Sequence, residues 1–354
     1  AISVIVNMRK LVENIRFTLY SDWPFYTCVL LYLIGTWSVA QYYQLDDRFS
    51  ILVYLKLALL QFVPYGILFY AIYIVFVMVK TRPKGLFSYL AIDLRSKLIR
   101  PSFLRGLLGL FVLAVFLSAM TSFKSVIPEI NPFNWDPVLA NFDKGLHGGY
   151  VPWELLQSIL GWPIVTHVID IVYGLWFIIM MTFVMWFLFT ANSDFLRKRF
   201  IISYVLCWTI NGSLLAVIFS SVGPVFYSDA YPDLVNPFNS LMSYLTLVSL
   251  EYPSLVLREK EMLWAFYQNA TLRPASGISA MPSMHVSVAT LIFFICRRRK
   301  QVFVKVLGGV FLVMIGLGSV HLGWHYAIDG YLALIVTLVV WKCTGFIACL
   351  ERSK

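Results

Sequence analysis

From Trp162 to Thr190 the chain carries one Asp and no Glu, Lys or Arg. A helix in water needs a polar face, and this run has none to offer. About 20 apolar residues in a helix cross the ~30 Å hydrocarbon layer of a bilayer. Backbone groups must be satisfied within the segment there, so helix is the only sensible form. Seven further runs qualify, near 23–42, 51–79, 105–125, 200–221, 281–296, 303–320 and 326–346. The chain is therefore expected to be an all-α polytopic membrane protein with about eight transmembrane helices. Composition agrees: 60 % of residues are apolar and 13 % charged, with mean hydropathy +0.77. Soluble domains carry about 25 % charged residues. Such a surface excludes a disordered chain, a secreted disulfide scaffold and a cytosolic enzyme.

The net charge of +10 resembles a nucleic-acid signal until the positions are read. Of 28 Lys and Arg, 21 fall in five short segments: Arg9 to Arg16, residues 80 to 105, Arg197 to Arg199, Arg297 to Lys305, and Lys342 to Lys354. Cytoplasmic loops of membrane proteins carry this excess, so no nucleic-acid partner is expected. An even number of spans with both termini cytoplasmic puts all five segments on one side. The chain then divides into 1–104, a cytoplasmic lead-in with two spans and a basic segment, and 105–354, a six-helix core. Residues 1–22 lack the apolar core and cleavage site of a signal peptide. Two long segments, 126–161 and 222–280, fall outside and are rich in Trp, Tyr and Pro. Interfacial helices on the outer leaflet are expected there, and the stretch 84–104 could lie on the inner one. The five cysteines lie in apolar runs or at their ends, with no zinc-like spacing.

Three of the five histidines lie near the C-terminus. Met281-Pro282-Ser283-Met284-His285 opens the sixth run, and His321, His325 and Asp329 lie where the seventh exits and the eighth re-enters. The topology brings both motifs to one face of the membrane. His325 and Asp329 are four apart and share a face if helical. An Asp bonded to one ring nitrogen fixes the tautomer and frees the other nitrogen to attack. His285 can then donate a proton to a leaving group. Ser283 and nearby N–H groups at a helix start suit a phosphate oxygen.

Pro282-Ser283-Met284-His285 followed by His325-Tyr326-Ala327-Ile328-Asp329 resembles the signature of the type-2 phosphatidic acid phosphatase superfamily. The resemblance implies a six-helix core, His325 as a nucleophile forming a phosphohistidine, Asp329 as its support and His285 as proton donor, with no metal or other cofactor. Two features depart from the family's phosphatases. Arg273-Pro274 is present, but Phe266 stands where their motif has Lys. Ser319 stands where they carry an Arg six residues before the nucleophile. Fewer cations suit a singly charged phosphodiester better than a doubly charged monoester. The segments Gly277–His285, Gly318–Tyr331, Val222–Tyr227 and Phe142–Leu156 are similar to inositol phosphorylceramide synthase and its bacterial relatives. That likeness implies a transferase moving a head group from a phospholipid donor to a lipid hydroxyl, with water as acceptor giving hydrolysis instead.

Other polar residues keep two readings. His167 and Asp170, three apart inside the fourth run, could line a head-group cavity or bond one another. Arg273 could touch phosphate or anchor to lipid head groups. His321, His325 and Asp329 form an i, i+4, i+8 stripe that could ligate zinc, or His321 could lie above the site as a substrate contact or at a helix end. Asp143, Lys144 and His147 could cover the site or form a solvated turn. Rival functions are a phosphatase acting on phosphatidate or a polyprenyl diphosphate, and a non-catalytic lipid transporter or scaffold that keeps the fold.

Overall fold

The computed structural model describes residues 13, 16, 18–57, 60, 63–81, 85–98, 100–190 and 194–350. Most of the lead-in 1–22 lies outside them. Among the described residues the regular structure is helical throughout. The helices are α1 (Trp23–Tyr42), α2 (Val53–Leu57), α3 (Val63–Lys80), α4 (Leu86–Leu98) and α5 (Pro101–Ile130). Then come α6 (Asp136–Leu146), α7 (Pro152–Leu160), α8 (Pro163–Phe189) and α9 (Asp194–Thr209). After a π turn at Ile210–Leu214, the chain continues through α10 (Tyr227–Ala230), α11 (Asn239–Glu251) and α12 (Leu255–Gln268). It closes with α13 (Met284–Cys296), α14 (Val302–His321) and α15 (Ala327–Leu350).

Six helices among the described residues are long and apolar enough to cross a membrane: Trp23–Tyr42, Pro101–Ile130, Pro163–Phe189, Phe195–Ile218, Val302–His321 and Ala327–Ile347. The sequence suggested eight. The run 51–79 is divided between α2 and α3, and α13 has only 13 residues, about 20 Å of helix. The molecule is an integral membrane protein on these six.

Packing follows the distribution of apolar residues. α13 is the central helix, apposed to α14, α15, α9 and α8. Met284, Val286, Val288, Ala289, Leu291, Ile292 and Ile295 are all buried, because α13 is apolar all round and meets protein on every side. α8, α14 and α15 instead turn Phe177, Ile178, Val306, Val310, Ile335 and Val339 outward, as a lipid-facing surface would. α1 packs on α5 and α9. Its anchor is Asp22, the residue before its first turn, whose carboxylate accepts both terminal nitrogens of Arg197 at 2.6 and 2.7 Å. Tyr32 adds a 2.8 Å hydrogen bond to Ser213.

The bundle has two unlike ends. The basic positions Lys80, Arg100, Arg197 to Arg199, Arg297 to Arg299 and Lys342 fall at helix ends or starts on one of them. At the other end α5, α9 and α14 finish and α8, α13 and α15 begin. The connecting helices α6, α7, α11 and α12 gather there. All four are shorter than a span, and α6 exposes Val138, Phe142 and Leu146 on one face.

Candidate active site

α14 stops at His321, and the chain turns through Leu322–Tyr326 before α15 starts at Ala327. Gly323 takes φ +75° in this turn. His325 is therefore not in a helix. Its N–H donates to the Ser319 carbonyl at 3.1 Å, and its ring is held by the first turn of α15. Asp329 Oδ2 lies 3.2 Å from His325 Nδ1 and also accepts the Tyr326 N–H at 3.1 Å. With Nδ1–H donated to Asp329, His325 Nε2 keeps its lone pair. His285 Nδ1 sits 3.4 Å from that nitrogen. The two imidazoles thus come together from different helices, and Asp329 is fully buried behind them.

His285 is clamped in turn. Its ring stacks on Tyr173 at 4.5 Å and lies tilted against Trp176 at 4.3 Å, while Trp176 Nε1 donates to the His285 carbonyl at 3.0 Å. Ser283 caps α13 by accepting the Val286 N–H at 3.3 Å, and its own N–H donates to the Asp329 carbonyl at 3.1 Å. The starts of α13 and α15 are so tied together, one carrying each histidine.

Two aspartates from α6 lock this end, and neither was legible as such in the sequence. Asp143 is buried rather than part of a solvated turn: its carboxylate accepts the Ala327 N–H at 2.9 Å and the Ile328 N–H at 3.1 Å. It caps α15, where a negative charge meets the positive end of the helix dipole. Burial pushes its carboxyl up, opposed by the Ala327 bond, His147 and the Ile328 bond. Asp136 accepts four hydrogen bonds, from the Val222 and Gly223 N–H groups and the Tyr231 and Tyr326 hydroxyls, at 2.8–3.0 Å. Burial raises its carboxyl as well, with those four donors pulling the other way. The segment 220–226 then reaches both histidine loops. Ser221 accepts from Ala280, and Val225 donates to Gly323.

Below the histidines lies a cavity of about 520 Å³, within the usual range for ligand sites. His285, His325, Tyr173, Trp176, Trp208, Phe226 and Trp324 line it, with Met and Leu side chains deeper in. Lys124 and Glu259 are its charged wall residues apart from the histidines. The segment Pro274–Pro282 forms one side.

Of the eight residues singled out from sequence, His285 and His325 line this cavity and Asp329 holds His325. The other five lie elsewhere. Ser283 is fully buried, with its hydroxyl accepting the cap bond of α13. Asp170 accepts the Leu255 and Val256 N–H groups at 2.8 and 3.3 Å and so caps α12. His167 stacks on Tyr252 instead of joining Asp170. His321 Nε2 bonds the Thr166 hydroxyl at 2.8 Å, away from His325, because the turn after it breaks the helical stripe. Arg273 is exposed, its backbone closing a turn with Ser276. No group of three His, Cys, Asp or Glu among the described residues could hold a metal ion.

A family model described as the PAP2 superfamily matches residues 138–343, well over half of the chain. The chain belongs to the PAP2 superfamily. The match takes in both histidine motifs, Asp143 and Asp329, and leaves out α1 to α5. No curated protein and no solved structure matches the chain. Membership supports an enzyme of the lipid phosphatase and phosphotransferase kind. What this PAP2 protein holds at that end is Asp329, His325 and His285 in a row, facing a largely apolar cavity.

Proposed function

We propose that the protein is a lipid phosphotransferase that moves a phospho-head group from a phospholipid to a lipid hydroxyl through a phosphohistidine. The observation that carries this reading is the relay itself: Asp329 on His325 Nδ1, with His285 beside His325 Nε2. His325 Nε2 attacks phosphorus, the ester bond to diacylglycerol breaks, and the departing oxygen takes a proton from His285. In the second half the acceptor hydroxyl gives its proton to His285 and attacks phosphorus, and the P–N bond breaks. Positioning and charge stabilisation supply most of the rate in phosphoryl transfer.

Transfer is favoured over monoester hydrolysis by the sparse charge of the cavity and by Phe266 and Ser319, which stand where the family's phosphatases carry cations. The basic end of the bundle is cytoplasmic by the bias of Lys and Arg, which puts the histidines at the outer or luminal face. α3 and α13 complete eight crossings, since each ends at a basic residue on the cytoplasmic side. The exposed apolar faces of α6 and α7, the latter with Leu155 and Ile159, suit helices lying in the interface. Among relatives in the family, inositol phosphorylceramide synthase-like enzymes are the subgroup whose motifs the chain shares.

The test compares wild type and His325→Gln on a mixed phospholipid and sphingolipid extract by mass spectrometry. A new head-grouped lipid made only by wild type is the expected result. Free phosphate without such a lipid would replace transfer with hydrolysis. Identical product profiles from a folded variant would overturn the phosphohistidine and favour a transporter.

A further inference from the structure

Seven of the 28 Lys and Arg lie outside the five basic segments, and one of these, Lys124, sits in an apolar helix. It lies six residues short of the distal end of α5, at the same end of the bundle as the histidines. Lys124 lines their cavity and has no hydrogen-bond or ion-pair partner among the described residues. Its charge is within electrostatic reach of the His285 ring.

An ammonium half-buried among aromatic and apolar side chains is costly unless something neutralises it. The carboxylate on the cavity wall, Glu259, is exposed and makes no ion pair with it among the described residues. Neutral donors without a partner among the described residues line the same cavity, among them the hydroxyl of Tyr173, a residue 5 % exposed, and the buried Trp324 Nε1. One positive charge and neutral donors beside an imidazole suit a single negative charge on oxygen.

The segment that closes the cavity is fitted to this lysine. Gly277, at φ +94°, lies so close to α5 that a Cβ there would stand 2.9 Å from the Lys124 carbonyl carbon. The loop leading to His285 therefore rests on the backbone that carries the ammonium.

We propose that Lys124 binds the non-bridging oxygens of the substrate phosphate and makes the site selective for a singly charged phosphodiester over a doubly charged monoester. This deepens the transferase reading and rests on it. One cation neutralises one phosphodiester charge, whereas the second charge of a monoester would enter a low-dielectric cavity without a partner. Lys124 in this role stands in for the two cations whose places Phe266 and Ser319 take.

The experiment titrates purified protein in detergent with dioctanoyl phosphatidylglycerol, dioctanoyl phosphatidate and uncharged dioctanoylglycerol, using calorimetry. Wild type is expected to bind the diester more tightly than either of the others. Lys124→Met is expected to lose the advantage over dioctanoylglycerol by about 10–100-fold, the range for a hydrogen bond to a charged group, and Lys124→Arg to keep most of it. In the lipid-extract assay the Met variant should raise KM far more than it lowers kcat. A wild type that binds diester no better than dioctanoylglycerol overturns the proposal without any variant. So does a Met variant that binds like wild type. An inactive His325→Gln with an unaffected Lys124→Met would remove Lys124 alone, whereas an active His325→Gln would remove the underlying reading.

Discussion

The buried pair between Asp22 and Arg197 allows a quantitative test of whether α1, which the family match leaves out, is structurally part of the enzyme. Both residues are almost inaccessible, at 4 % and 1 % side-chain exposure, and the contact is bidentate. Removing one member leaves the other charge buried and unpaired, which typically costs about 3–5 kcal/mol. Asp22→Leu and Arg197→Met should each show that loss. With ~2.1 cal/mol/K of unfolding entropy per residue over 354 residues, the corresponding fall in Tm is roughly 4–7 °C. The double variant Asp22→Leu with Arg197→Met strands no charge. Asp22 makes no side-chain cap bond to α1 that would be lost with it. Apolar replacement of a buried pair is often close to neutral, so the double variant should lie within ~2 kcal/mol of wild type. The coupling energy between the sites is then on the order of 4 kcal/mol or more. Thermal unfolding in detergent, followed by tryptophan fluorescence, measures all four proteins. Single variants that melt within 1 °C of wild type would refute the reasoning, as would a double variant whose loss is the sum of the two singles.

Asp143→Asn keeps the volume but lets only one of the Ala327 and Ile328 N–H groups find an oxygen, so kcat should fall about tenfold while KM changes little, as steady-state assays would show. The same variant should flatten the pH dependence of Tm. Burial raises the native Asp143 pKa above the unfolded value of about 3.9, so the folded state binds the proton more tightly, and its stabilising contribution is lost as pH climbs through the raised value. Gly277→Ala forces a Cβ against the Lys124 backbone at a positive φ, a cost on the order of 1–3 kcal/mol from the backbone alone; product formation should drop with it, and a fully active variant would show that the loop does not rest on α5.

The membrane character and the histidine motifs could be read from the chain because each depends on local pattern. An apolar run from Trp162 to Thr190 has one outcome whatever its neighbours do. The motifs around His285 and His325 each mark a helix start, and alternating topology brings those starts to one end. The stripe of His321, His325 and Asp329 failed as a helical pattern for a definite reason. α14 ends at His321 and α15 begins at Ala327, so the spacing crosses a turn, and only His325 and Asp329 meet. Asp136 gave no signal, and Asp143 was read only as covering the site or forming a solvated turn, because their value lies in backbone donors more than eighty residues away. Lys124 was not singled out in the sequence. Its meaning depends on which helices surround it, and no local pattern carries that information. The run 51–79 was continuous in hydropathy, yet among the described residues its first helix, α2, is tied to α5 by the Tyr54 N–H, which donates to the Ser118 hydroxyl at 2.9 Å, a contact that hydropathy does not show.

In the proposed mechanism the shortness of α13 sets the level at which the reaction takes place. Its 13 residues reach about 20 Å from the basic end, whereas the hydrocarbon layer is ~30 Å thick. With the basic end at the near surface, His285, near the helix start, lies roughly 10 Å beneath the far one. In the proposed reaction this depth sorts the acceptors. A hydroxyl riding on a hydrocarbon anchor arrives at that level by sliding sideways through the leaflet. Water has to leave its own kind and descend between Tyr173, Trp176 and Trp324. On the proposed mechanism, a helix of only 13 residues keeps the covalent intermediate away from the most abundant nucleophile in the cell.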